Sequence, residues 1–146
     1  MGPVHFLLLA VWAKHNPGCR YIEGVVLAVQ QYRELFSQFE TVLIGDLNSN
    51  DIWDNHHPAD RNHTALVKLL DQLGLVSSYH TAREEPTGKE TQPTYYMHGH
   101  EARPYHIDYC FLPTSWASNI QRVEIGTYEA WKSHSDHRPL LVALNA

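Results

Sequence analysis

The chain has 146 residues, a net charge of −5 with its histidines neutral, and an apolar fraction of 43%. That length suits one domain with a real core. No apolar run is long enough to span a membrane, and no basic run offers the phosphate neutralisation that drives non-specific nucleic-acid binding.

Val4 to Ala13 reads as a first strand, apolar on both faces. Its Phe6 to Ala13 portion has the hydrophobicity of a secretory signal but lacks a basic flank and a small-residue cleavage site. Cys19 and Cys110 are the only cysteines, too few for a disulfide framework, which fits a reducing compartment, and the lack of a signal-peptide or membrane-spanning pattern gives the expectation of a cytoplasmic setting. Lys14 to Arg20, with Pro17-Gly18, is a turn. Tyr21 to Phe39 is expected to be one helix, because Ile22, Val25, Val29, Tyr32 and Phe36 step by three and four.

Thr41 to Ile44 is a short strand buried on both faces, ended by Gly45. It runs into Asp46 and Asn48, a carboxylate and an amide held at the edge of the core. Those two side chains either serve a site or bond their own backbone in an Asx turn. Asp51 to Asn62 is a polar loop, and Asp60 or Asn62 caps the helix that follows. That helix carries the stripe Leu66, Leu69, Leu70 and Leu73 and stops at Gly74. The histidines His56, His57 and His63 suggest either a second metal site or a solvated loop, and their spacing fits no closed zinc pattern.

Val76 to His80 is a candidate short strand, Thr81 to Gln92 a surface loop, and Pro93 to Met97 an extended segment. Tyr105 to Leu112 alternates, with Tyr105, Ile107, Tyr109 and Phe111 on one face. Asp108 is the anomaly on the other face, since a buried acid is rare unless paired. Arg103 and Arg138 are cations that could pair with it. Val123 to Ile125 is a strand, Ser133 to Arg138 a polar turn, and Pro139 to Leu144 a closing apolar strand in the same sheet.

Three polar signatures flank these strands: Gly45-Asp46-Leu47-Asn48, His106-Ile107-Asp108-Tyr109 and Ser135-Asp136-His137-Arg138-Pro139. Together, in this order, they resemble the endonuclease/exonuclease/phosphatase superfamily, the deoxyribonuclease-I-like fold. The resemblance implies a divalent-metal-dependent phosphoesterase in which water attacks a phosphodiester or phosphomonoester directly. In it, Asp46 resembles the carboxylate that orients or deprotonates the water, and Asn48 its partner at the phosphate. His137 resembles the histidine on the scissile phosphate, Asp108 the acid that bonds its other nitrogen, and Asp136 a ligand of Mg2+ or Mn2+. The physics agrees: an in-line displacement needs an oriented water and donors that strengthen as charge develops, and hard cations prefer oxygen ligands.

The likeness is to the C-terminal half of a four-layer α/β sandwich, an α/β (α+β) chain with a mixed sheet. The half that supplies an asparagine and a metal-binding glutamate in the superfamily is not matched. The strands are apolar on both faces, yet the two amphipathic helices cover one. The second face is therefore expected to meet a missing N-terminal half or a face-to-face second copy. Trp12 and His15 are the candidates for a further side chain at the end of the first strand. The competing expectation is a catalytically incomplete fragment, or a binding and assembly module on the same fold.

Overall fold

The computed structural model describes residues 4–145, so the expected start at Met1 to Pro3 lies outside them. In chain order the elements are β1 (Leu7–Trp12), β2 (His15–Asn16), β3 (Cys19–Arg20), α1 (Ile22–Gln31), α2 (Arg33–Gln38) and β4 (Thr41–Asp46). A 3-10 turn (Asp51–His56), α3 (His63–Gln72), β5 (Leu75–Ser77) and α4 (Ser78–Arg83) follow. Then come β6 (Tyr95–Tyr96), a 3-10 turn (Met97–Gly99), β7 (Pro104–Tyr105) and β8 (Asp108–Pro113). The 3-10 turn Thr114–Asn119, β9 (Ile120–Ile125), α5 (Tyr128–Trp131) and β10 (Leu140–Leu144) complete the chain.

The central sheet has four strands in the order β1-β4-β8-β5. β1 and β4 run parallel, and β8 is antiparallel to both β4 and β5. One face carries Leu9, Leu43, Tyr109 and Phe111 and packs against Ile22, Val25, Val26 and Val29 of α1 and Leu66 and Leu70 of α3. Asn62 caps α3 as expected, its side chain accepting from Ala65 N at 2.8 Å, and Gly74 follows with φ +79°.

The opposite face is covered unevenly. Over β8, Cys110 and Leu112 are buried beneath α4 and the β9–β10 pair. Over β1, Leu8 and Trp12 are 54% and 69% exposed. An apolar cleft of about 260 Å³ opens there, lined by Val4, Phe6, Trp116 and Leu144. Helices thus lie on both faces, where one was expected, and the bare region is confined to the β1 side.

Four expectations are corrected. The helix over 21–39 breaks at Tyr32, whose φ −102° and ψ 16° swing its ring outward while Phe36 turns into the core. Val76 to His80 is not one strand, because α4 starts at Ser78. Ser78 and Tyr79 are both buried, which a half-covered strand cannot arrange for neighbours, and Ser77 Oγ lies 2.7 Å from His80 Nδ1 across the first turn. Pro139 to Leu144 does not join the main sheet. Both edges of β8 are already taken by β4 and β5, and β10 pairs with β9 instead. The strand expected over Tyr105 to Leu112 begins only at Asp108, because Thr94 Oγ1 takes the N–H groups of Ile107 and Asp108 at 3.0 Å each.

Candidate active site

The register of the sheet brings the first two signatures together. Trp12 pairs with Asp46 across β1 and β4, and Asp46 pairs with Asp108 across β4 and β8. Cross-strand partners share a face, so these side chains stand on the unevenly covered side. Gly45 makes this approach possible at φ +138°, and a Cβ there would lie 2.0 Å from Val11 O.

Asp46 and Asn48 form a closed unit. Asn48 N donates to Asp46 Oδ1 at 2.8 Å and Asn48 Nδ2 donates to Oδ2 at 2.7 Å. The same amide also donates to Ala13 O at 2.9 Å, and Asn48 adopts φ 45° to do so. With both amide hydrogens engaged, a phosphate contact from that group needs one of these bonds to be exchanged. Burial raises the pKa of Asp46, the nearby Asp108 charge raises it further, and the Asn48 N–H and His137 oppose both. A carboxylate tuned upward is a better base than a free one.

The third signature arrives on the turn before β10. His137 Nδ1 lies 2.9 Å from Asp108 Oδ2. That hydrogen bond is the leading cause of a raised imidazole pKa, and the charges of Asp108, Asp46 and Asp136 act in the same direction against burial. The ring is thereby biased toward its protonated form. Among the described residues Nε2 has no protein partner, which leaves it as the donor available to a ligand. Both groups are shifted upward, which makes Asp46 a stronger proton acceptor and keeps His137 a protonated donor.

Asp136 sits one residue away but is exposed, and no group of three histidine, cysteine or acidic side chains converges among the described residues. Asp46 and Asp108 spend oxygens on Asn48 and His137. The donors present among the described residues therefore do not close a site for Mg2+ or Mn2+. The histidine-rich loop does not assemble a second metal site either. His56 is exposed, His57 Nδ1 lies 2.9 Å from Glu23 Oε1, and His63 is buried with its ring 5.0 Å from that of Tyr109.

Sequence reasoning missed the residues that hold this arrangement. Thr94 is wholly buried and fastens the backbone of Asp108 through its hydroxyl. Tyr95 pairs with His137 across an isolated bridge and lays its ring 4.7 Å from the imidazole. Asn50 is buried and donates to Glu90 Oε1, His106 O and the Tyr109 hydroxyl. Glu90 would be raised by burial, but hydrogen bonds from His80, Gly88 N and Asn50 hold its pKa down to about 2. Isolated polar residues in loops carry no periodic signal that could have marked them. Trp12 at the end of β1 is exposed beside Asp46, with the Lys14 ammonium 3.5 Å over its ring, whereas His15 turns away into the small β2–β3 hairpin.

The architecture has relatives of known structure. The chain is similar to the 3' phosphatase NExo from Neisseria bound to a product DNA hairpin, with a TM-score of 0.69 and 18% identity over 95% of this chain and 61% of that one. It has the deoxyribonuclease-I-like fold. A second structure, the 3'-5' exonuclease NExo from Neisseria meningitidis, matches at a TM-score of 0.60 with 17% identity over 95% of this chain and 61% of that chain. The endonuclease domain of TRAS1, a telomere-specific non-LTR retrotransposon, matches at 0.57 with 15% identity, covering 90% of this chain and 55% of that one. The chain therefore spans less than two thirds of the length of each of these structures. No family model and no curated protein sequence matches it.

Proposed function

We propose that this protein is a phosphoesterase that hydrolyses a phosphodiester or phosphomonoester by direct attack of water. The observation that carries the reading is the apposition of two hydrogen-bonded pairs, Asp46 with Asn48 and Asp108 with His137, on one face of one sheet. In it Asp46 orients and deprotonates the water, Asn48 holds that carboxylate in place, and protonated His137 donates from Nε2 to the phosphoryl oxygens as charge builds. Asp108 keeps the imidazole in one orientation. The Neisseria and TRAS1 neighbours support nucleic acid as the substrate class. A divalent cation, Mg2+ or Mn2+, would offset charge on the non-bridging oxygens. The side chains present do not close around such an ion, and Asp136 would give it one oxygen ligand in a set completed by another layer or a second copy.

The test is hydrolysis of an activated phosphodiester with and without manganese, beside His137→Ala. Loss of one charge-stabilising donor is expected to cost about 100- to 1,000-fold in turnover. A folded variant that keeps more than a tenth of the activity sinks the role of His137.

A second reading rests on two specific observations, the unclosed cation site and the exposed apolar strip Phe6, Leu8 and Trp12. In that reading the chain is one part of an active site. A further protein layer, or a second copy face to face, covers the strip and completes the ligand set. Analytical ultracentrifugation with hydrophobic-dye binding separates the cases. A monomer that binds no dye rules out an unmet partner surface.

A further inference from the structure

Arg138 is an anomaly in this fold. It is 2% exposed, and among the described residues no carboxylate pairs with it. Burying an unpaired cation is costly, so it needs compensation from its surroundings. Two aromatic faces supply part of this, with the guanidinium carbon 4.6 Å from the Tyr96 ring and 5.0 Å from that of Tyr128. The tyrosine rings lie 4.6 Å apart, centroid to centroid, and Tyr128 is fixed by its hydroxyl donating to Gly99 O at 2.9 Å.

The guanidinium reaches back onto its own turn. Nη1 donates to both Ser135 O and His137 O at 2.8 Å. Nε and Nη2 are buried and have no partner among the described residues. A cation placed for stability alone would use its whole fork. This one uses only Nη1, on the two carbonyls that bracket Asp136 and His137.

The same turn is fastened from below. Arg138 N donates to Thr94 O, Tyr96 N donates to Asp136 O at 2.8 Å, and Thr94 Oγ1 accepts from Asp108 N at 3.0 Å. Residues 94–96 thus hold both partners of the His137–Asp108 pair by their backbones, while Arg138 fixes the curvature of the turn that presents the imidazole.

We propose that Arg138, packed against the paired rings of Tyr96 and Tyr128, is the positioning residue that sets His137 against Asp108. Its effect on turnover rests on the phosphoesterase reading above; its effect on the geometry of the pair does not.

Nuclear magnetic resonance of the full chain reads that geometry directly. The wild type should show a downfield, slowly exchanging Nδ1 proton on His137, identified by its disappearance in His137→Ala. Arg138→Met is expected to lose this signal and to lower kcat by about 10- to 100-fold with KM little changed, the scale on which a misplacement near 1 Å acts. Arg138→Lys keeps a cation against the rings and should restore part of both. If Arg138→Met fails to fold, Tyr128→Leu removes one ring of the pair from outside the turn and should weaken the same signal.

Persistence of the Nδ1 proton in folded Arg138→Met or Tyr128→Leu overturns the proposal, as does its absence in the wild type. A lower melting temperature with the signal unmoved means Arg138 is structural only, and overturns it too. An Arg138-dependent signal in a wild type without hydrolytic activity upholds the positioning role and sinks the phosphoesterase reading instead.

Discussion

Leu9 and Leu8 are neighbours in β1 and equally apolar, yet Leu9 packs beneath α1 while Leu8 is 54% exposed. The same division runs through β4 and β8. Leu43, Tyr109 and Phe111 face the helices, whereas Asp46 and Asp108 share the other side with Trp12. The main core lies on the face beneath α1 and α3, and the candidate chemistry on the unevenly covered other face. A carboxylate and an imidazole that must meet a charged ester need a side open to solvent, and closing that side over β1 would bury them. The open strip is thus the cost of presenting the site, unless another layer roofs it.

That contrast can be broken at several points. The seam between β1 and β4 serves both faces, so Gly45→Ala should do the most damage. Its Cβ meets Val11 O at 2.0 Å in a backbone conformation that disfavours side chains, and a loss of about 4 kcal/mol or more is expected in urea unfolding. Near-wild-type stability would show that the strands can part there without consequence.

Leu43→Ala, on the covered face at 1% exposure, should cost about 2–5 kcal/mol. A cost under about 1 kcal/mol, by the same measurement, would mean that this face is not the principal core.

His63 gives the covered face a pH signature. Burial lowers its pKa from 6.5 to about 4, since the charged ring has no water around it. Between those values the unfolded chain binds a proton that the folded chain does not. Stability should therefore fall as pH drops through that window, by an amount on the order of 3 kcal/mol. His63→Phe should flatten the slope of stability against pH there, and an unchanged slope would contradict the burial.

The open face should give the smallest response. Leu8→Ser is expected to move stability by no more than about 0.5 kcal/mol while reducing hydrophobic-dye fluorescence. A cost above about 2 kcal/mol would show that Leu8 is covered in solution, and the contrast between the faces would then vanish.

Much of this division is legible in the sequence. The apolar run Thr41 to Ile44 and the stripes of α1 and α3 report burial directly, although the strand does not stop at Gly45 as expected but runs through it to Asp46, paired on both sides. Asp108 stands out because it interrupts such a signal, and the sequence leaves its partner open between a histidine and two arginines until His137 is seen 2.9 Å away. What escapes is whatever depends on which layer lies overhead. Leu8 and Leu9 are identical letters, and the sequence cannot say that helices cover one and not the other. Strand membership escapes for the same reason, because β10 looks like any apolar strand until both edges of β8 prove occupied. Ser78 and Tyr79 form a helix where an extended run is expected because β8 buries both. Arg138 is hidden most fully, since a cation in a polar turn is usually solvated and only the ring pair of Tyr96 and Tyr128, from distant segments, reveals its packing.

The pairing of β10 has a consequence for handling. Among the described residues this strand bonds only β9, so its outer side presents a row of unclaimed backbone donors and acceptors beside Leu141 and Leu144. Such a row recruits any extended chain it meets, and recruitment scales with the square of concentration. The shelf life of the purified protein should therefore fall on concentrating well before its melting temperature moves. A short peptide added as a sacrificial strand should lengthen it.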